Sequence, residues 1–460
     1  MSRDGGIIII GCGAGGGTAA QFARKTNRKA SITIFEKGKY SQYSKCGLPY
    51  AISGVIPKLD DLIEFSEEWF KKADIDLLLE TTVEKIDVNN QIVYAKKDSA
   101  VVEKLYDSLI ICSGANPFIP PIQNIEQNGK LVDGIFVVRT IDDAEKISSK
   151  IKTGGKATII GAGLIGLEMA DTFYKKNMKV TIVEALPSIL ANTLDDDMSN
   201  IVHEEISKNV QILTNHLAIK IESKNGRICK VFIKNNNTKE EKDIDTDILI
   251  IATGGKPEVT LAKDIGCKIG ETGGIVVNEK SETNVKNVYA AGDCTEYQDF
   301  VTNQPLLIGL GSIAVRQGIA AGINAAGGDY KLPNGVLQTR TSEFFGLEIA
   351  AVGPTIKNFE KTSVVSGRFS GSSLLDYFPG GKPITVKVIA DKKTGRIVAA
   401  QAVGENAAQR INTFATAILS GMGIESFRKL ETAYAPSIAP TLDAVTLACD
   451  IVSKKLNRRR

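Results

Sequence analysis

Ile7-Ile8-Ile9-Ile10-Gly11-Cys12-Gly13-Ala14-Gly15-Gly16 is the stretch that decides the fold. Four branched apolar residues in a row read as a buried strand. The glycines after them place Gly11, Gly13 and Gly16 in a G-x-G-x-x-G turn that opens a helix. In such a turn the first glycine permits the bend, the second lets backbone approach a pyrophosphate, and the third lets helix pack on strand. The helix start adds unpaired N–H groups and a positive dipole for the phosphates. A second strand, Ile32-Thr33-Ile34-Phe35, ends in Glu36, a carboxylate placed to accept hydrogen bonds from a ribose.

The whole phrase recurs. Ala157-Thr158-Ile159-Ile160 runs into Gly161-Ala162-Gly163-Leu164-Ile165-Gly166, and Val180-Thr181-Ile182-Val183 ends in Glu184. A closing echo follows each copy: Leu109 to Gly114 resembles Leu249 to Gly254, with Pro117 and Pro257 shortly after. One dinucleotide unit is therefore expected to be interrupted by another. The expected boundaries are 1–116 and 247–330 for the first unit and 117–246 for the second. From 331 to 460 the texture changes to alternating strands and a helix with periodic apolar residues near Arg410 to Leu419. The fold class is α/β: two Rossmann-like dinucleotide-binding domains, the second inserted in the first, plus a C-terminal α+β domain.

Composition narrows the chemistry. The 460 residues carry 56 Lys+Arg against 53 Asp+Glu, a net charge of only +3, so nothing calls for nucleic acid or an anionic membrane. The Arg458-Arg459-Arg460 tail reads as a solvated terminus. No apolar run reaches the length of a membrane helix, and the opening residues carry no signal-peptide pattern. Seven cysteines is too sparse and odd a count for a secreted disulfide framework, so the cytoplasm is the expected compartment. Two histidines, His203 and His216, leave no His-rich metal site, and no metal is expected.

A third phrase, Thr283 to Ala291 ending in Gly292-Asp293, completes a resemblance to the pyridine nucleotide–disulfide oxidoreductases. The resemblance implies FAD on Gly11, Gly13, Gly16, Glu36 and Asp293, and NADH on the inserted unit at Gly161, Gly163, Leu164, Ile165, Gly166 and Glu184. It also implies cofactor contacts from Ala14, Gly15, Lys37, Ser44, Val83, Ser113, Gly114, Gly254 and Gly292. Glu184 repels a 2′-phosphate and no arginine follows it in Ala185-Leu186-Pro187, so NADH is the expected reductant and NADPH the alternative.

Tyr43-Ser44-Lys45-Cys46-Gly47-Leu48-Pro49-Tyr50 holds one cysteine with no C-x-x-C or C-x-x-x-x-C partner. This resembles the single-cysteine branch: coenzyme A-disulfide reductases, NADH oxidases and peroxidases, and NAD(P)H sulfur reductases. A thiolate is the nucleophile in disulfide exchange, and a helix start and Lys45 both favour the anion. The substrate's own thiol then serves as the other half of the redox pair. The other six cysteines read as buried small residues. Asp376-Tyr377-Phe378-Pro379-Gly380-Gly381 and Tyr434-Ala435-Pro436 resemble the two tyrosine segments of coenzyme A-disulfide reductases, which implies a homodimer in which Tyr377 and Tyr434 flank the partner's cysteine as proton donors. Thr18, Lys25 and Lys45 are the implied contacts to a coenzyme A-type substrate. Ala14 stands where the family's oxidases and peroxidases carry a histidine. The leading expectation is NAD(P)H-driven reduction of coenzyme A disulfide, or of its persulfide or polysulfide. The alternatives are an NADH oxidase or peroxidase and an electron-transfer reductase for a small iron–sulfur protein.

Overall fold

The computed structural model describes residues 5–360 and 362–458, so the readings of the opening residues and of Arg459-Arg460 lie outside the described residues. The described chain forms two compact units. The first takes in residues up to Phe118, Arg139–Glu145 and Gly254–Val336; the second takes in Ile119–Val138, Lys146–Thr253 and residues from Leu337 onward.

In the first unit the isoleucine run is the strand Gly6–Ile10, paired in parallel with Ile32–Phe35 on one side and Ala100–Ile111 on the other. Side chains alternate across the sheet. Ile8, Ile10, Phe35, Leu109 and Ile111 enter one apolar cluster, while Ile7, Ile9, Ile32, Ile34 and Ile110 enter the other. A strand covered on both faces explains why the sequence is continuously apolar there rather than alternating. Val288–Ala290 pairs in parallel with the end of Ala100–Ile111, delivering Gly292-Asp293 to the same edge of the sheet as the glycine turn. The first half of Ala100–Ile111 instead pairs antiparallel with Ile92–Lys97, which pairs with Thr81–Asp87.

The helix Ala14–Thr26 lies against the helix Gly311–Ala325. Small residues permit this approach: a Cβ on Gly318 would overlap the Gly15 carbonyl oxygen, and one on Gly322 would overlap that of Ala19.

The second unit repeats the plan. Its five parallel strands run in the order Ile135–Phe136, Ile248–Ile251, Lys156–Ile160, Lys179–Val183 and Gln211–Leu213. A three-stranded antiparallel meander follows, from His216 to Asp245. Ile248–Ile251 pairs with Lys156–Ile160, so the chain returns to the first unit at Gly254 rather than at 247. The C-terminal sheet is five-stranded and antiparallel, in the order Arg340–Phe344, Leu347–Val352, Ile397–Gly404, Pro383–Asp391 and Val364–Ser372. The helices Ala407–Leu419 and Ala444–Asn457 pack on it. This sheet is the C-terminal α+β domain; it falls in the same compact unit as the second nucleotide-binding part, and Lys387 pairs with Asp195 and Asp197 of that part.

Gly322→Val places a branched side chain where only a glycine fits. Overpacking of this kind costs about 1–3 kcal/mol, and a lower midpoint of thermal unfolding at fixed scan rate is the expected outcome.

Candidate active site

Each glycine turn has the same three-part geometry. The first glycine takes a left-handed backbone, Gly11 at φ 96° and Gly161 at φ 104°, which side-chain-bearing residues adopt only with strain. A Cβ there would also strike the neighbouring closing turn, at Cys112 or at Ala252. The second glycine, Gly13 or Gly163, faces open space, with nothing within 4 Å of where a Cβ would stand. The third, Gly16 or Gly166, has its Cα so close that a Cβ would overlap the first glycine's carbonyl oxygen. Bend, open cradle and close helix approach are the three requirements of a pyrophosphate site.

The two carboxylates also match. Glu36 accepts hydrogen bonds from the Cys12 N–H at 2.7 Å and the Gly38 N–H at 2.7 Å. Glu184 accepts from Ala162 at 2.6 Å and Leu186 at 2.8 Å. Each is thereby fixed beside its turn, with lone pairs left over for ribose hydroxyls. These cradles fit two dinucleotides, and Gly114 (φ 73°) and Gly254 (φ 94°) likewise have nothing within 4 Å of where a Cβ would stand.

Other expected positions are distributed unevenly. Ala14 and Leu164 begin the two helices, and Ile165 is exposed at the second turn. Gly15 packs near Ala291. The Gly292 N–H donates to Gln317 Oε1 at 2.8 Å. Ser113 donates its hydroxyl to the Glu258 carbonyl at 2.6 Å. Lys37 is exposed, Val83 is buried in the core, and Ser44 donates its backbone N–H to Leu62. Lys25 is exposed with its ammonium over the Phe22 ring. Thr18 is buried facing Gly318 in the helix seam, a position withdrawn from a substrate arriving in solution.

Cys46 is exposed in the single turn Lys45–Gly47, directly before the short helix Leu48–Ser53. Cys12, Cys267, Cys294 and Cys449 are buried, and burial pushes their thiols up. The same effect acts on half-exposed Cys112. Cys229 is partly exposed, its sulfur near the Glu222 carbonyl, in the second unit's meander.

Solvent reaches part of Lys45, yet the protein around its ammonium lowers its pKa, and repulsion from Arg139 lowers it further; Asp293 and Glu36 act in the opposite sense. Arg139 was not singled out by the sequence. Its guanidinium donates to the Ala115 carbonyl at 2.7 Å and stands 3.6 Å from Asp293. Its backbone N–H and that of Thr140 both donate to the Asp143 carboxylate, and Lys39 pairs with Asp142 at 2.6 Å. The only sequence signal was this charged segment, Arg139-Thr140-Ile141-Asp142-Asp143, within a span otherwise assigned to the second unit. In the second unit, Tyr377 and Tyr434 are exposed and their hydroxyls lie 3.3 Å apart. Among the described residues no group of His, Cys, Asp and Glu could hold a metal, and no helix is long and apolar enough to cross a membrane.

Comparison with known proteins agrees with this geometry. Residues 5–318 match the pyridine nucleotide-disulphide oxidoreductase family, and residues 340–445 match the dimerisation domain of that family. A protein of Methanocaldococcus jannaschii named NADH oxidase is 39% identical, with 98% of this chain and 99% of the relative covered. A Pyrococcus furiosus protein named NAD(P)H sulfur oxidoreductase (CoA-dependent) is 33% identical, with 97% and 98% covered. The solved structure of an NAD-dependent persulfide reductase from A. fulgidus superposes with a TM-score of 0.92 at 33% identity, covering 98% of this chain and 84% of that one. The chain belongs to the pyridine nucleotide-disulphide oxidoreductase family and is an NAD(P)H-dependent flavin oxidoreductase.

Proposed function

We propose that the protein reduces the disulfide of coenzyme A, or its persulfide or polysulfide, with NAD(P)H through Cys46. The observation that carries this reading is the contrast among thiols: Cys46 is exposed in its turn, while Cys12, Cys267, Cys294 and Cys449 are buried. The name of the P. furiosus relative, a CoA-dependent sulfur oxidoreductase, supports the same substrate class.

The chain's own residues divide the work. FAD is held at the first glycine turn, Glu36, Gly114 and Asp293, with Arg139 completing the charge around Asp293. NAD(P)H is held at the second turn by Gly161, Gly163, Gly166 and Glu184. FAD, when bound, supplies the electron pair from NAD(P)H that reopens the Cys46 mixed disulfide. The Cys46 thiolate attacks one sulfur of the disulfide RSSR, forming Cys46–S–S–R and releasing RS⁻. Reduction by two electrons and a proton returns the Cys46 thiolate and RSH. The sum is NAD(P)H + H⁺ + RSSR giving NAD(P)⁺ + 2 RSH.

In a homodimer, the Tyr377–Tyr434 pair supplies the proton to the leaving thiolate at the partner's Cys46. The hydrogen bond that its hydroxyl donates to Tyr434, then desolvation, raises the pKa of Tyr377 above the usual tyrosine value. A phenol holds its proton at neutral pH, so Tyr377 enters the reaction as a donor.

The M. jannaschii relative's name favours a second reading, oxygen reduction. Against it, position 14 is alanine, and both histidines of the sequence lie on the second unit, on Asp196–Ile206 and at the start of His216–Lys224. Oxygen uptake that tracks NADH oxidation, with no gain from added coenzyme A disulfide, would establish the oxidase instead.

Cys46→Ser tests the proposal: loss of disulfide turnover with flavin bleaching by NADH retained is expected, and unchanged turnover would overturn it. Tyr377→Phe should slow disulfide turnover by roughly 10²-fold, the usual scale for removing a general acid, with NADH-driven flavin reduction unaffected in stopped flow. With Glu184 fixed by two backbone N–H groups, kcat/KM for NADH should exceed that for NADPH by at least about tenfold, a difference of ~1.4 kcal/mol, in steady-state assays with each donor.

A further inference from the structure

We propose that Lys387, on the C-terminal sheet, is a positioning residue for the nicotinamide dinucleotide. The proposal rests on the assignment of that dinucleotide to the Gly161–Gly166 turn.

Lys387 is nearly inaccessible, at 6% exposure, on the strand Pro383–Asp391. Its ammonium stands 2.8 Å from Asp195 Oδ2 and 2.6 Å from Asp197 Oδ1. Asp195 is equally enclosed and is gripped twice more by C-terminal residues: Ile356 donates its N–H to Oδ1 at 2.8 Å, and Gln401 Oε1 accepts the Asp195 N–H at 2.9 Å. Arg340 adds a fourth tie, donating to the Asn192 carbonyl at 2.6 Å. The C-terminal sheet therefore fixes the last residues of the loop 185–195.

The other end of that loop is built into the glycine turn. The Leu190 N–H donates to the Ala162 carbonyl at 2.9 Å, with Leu190 held at φ 52°, a left-handed conformation that leucine adopts only when its surroundings impose it. The Ala162 N–H donates to Glu184 Oε2, whose other oxygen accepts from Leu186 at the loop's start. Ala162 is thus bonded to the loop directly through its carbonyl and, by way of Glu184, to the loop's start. Ile189, Leu190 and Leu194 are buried between the two anchors, so a displacement at Asp195 has no slack to absorb it.

A buried ion pair is poor evidence for stability, because apolar residues of similar volume often serve as well. Its distinctive property is directional: one cation, two carboxylates and one loop register. Removing the cation leaves Asp195 enclosed and unpaired, and the loop must shift to hydrate it. The shift travels to Ala162 and Glu184, the groups that define the dinucleotide cradle, and not to Cys46 or the first glycine turn.

Lys387→Met keeps the volume and removes the charge. In the folded, FAD-loaded enzyme, KM for NADH should rise roughly fivefold or more, and the calorimetric Kd for NAD⁺ should rise by the same factor. The limiting rate of flavin reduction should change by less than about twofold, since only binding is lost. Lys387→Arg should recover most of the affinity. If Lys387→Met does not yield folded holoenzyme, Gln401→Met should shift KM in the same direction by a smaller factor. Unchanged KM and Kd in either folded variant would overturn the proposal. Gly163→Val separates the two levels: if filling that cradle leaves NADH binding intact, the site assignment itself is wrong, whereas a rise there with no response to Lys387→Met sinks only the coupling.

Discussion

No Cβ can stand between Gly16 and the Gly11 carbonyl, or between Gly166 and the Gly161 carbonyl. That steric constraint sets where each helix begins, and the rest of each unit follows from it. With the helix start pressed onto the turn, its N–H groups and the positive end of its dipole converge in front of Gly13 or Gly163, where open space remains. The second strand then ends level with the turn, so Glu36 and Glu184 can each accept the N–H of the turn's second residue. A methyl group in the wrong place would cost both the cradle and the carboxylate's position. One stretch of ten residues consequently fixes a strand, a turn and the start of a helix together, and its backbone holds the carboxylate that ends the next strand.

What was legible in the sequence was what is set over short distances. Four isoleucines, a glycine pattern and a carboxylate about 20 residues on are local signals, and both copies fold as read. Partners far apart in sequence were not legible. Ile248–Ile251 closes the second unit by pairing with Lys156–Ile160, as its echo of Leu109 to Gly114 implied, yet the expected boundary at 247 put it in the first unit. Arg139–Glu145 belongs to the first unit through Arg139 beside Asp293 and Lys39 on Asp142, ion pairs between residues roughly a hundred or more positions apart. A charged residue announces that it needs a partner and not which one. Thr18 shows the converse: its packing beside Gly318 was not legible, because the face of a helix that meets another helix depends on the second helix.

The same distinction separates the two anchors of the second unit. Its glycine turn is a local construction, while the loop that steadies the turn is pinned by Lys387, Gln401 and Ile356 from more than 150 positions away. Nucleotide cradle and C-terminal sheet are thereby one mechanical body, consistent with their falling in one compact unit. A C-terminal domain in this arrangement does more than present a surface for assembly. Its strand Pro383–Asp391 carries Lys387 against Asp195 and Asp197, and its outer segments carry Tyr377 and Tyr434 in the open.

A single reactive cysteine changes the kinetics of thiol exchange as well as its stoichiometry. In an enzyme with a paired cysteine, the second thiol is tethered, and its effective concentration is high and constant. In the reaction proposed for Cys46 the counterpart comes from solution, so the balance between thiolate and mixed disulfide would follow the concentration of the small thiol and its disulfide. Selectivity must then come from accessibility and thiolate character rather than from proximity. Burial supplies the negative half of that selectivity: it pushes the thiols of Cys12, Cys112, Cys267, Cys294 and Cys449 up and removes them from competition at neutral pH. Exposure of Cys46 at the head of a short helix supplies the positive half. The cost is that any soluble electrophile of the right size can reach an exposed sulfur, so on the proposed reading the discrimination among disulfide, persulfide and oxygen would fall to the groups that surround it, with no imidazole in the first turn and the tyrosine pair as the proposed acid.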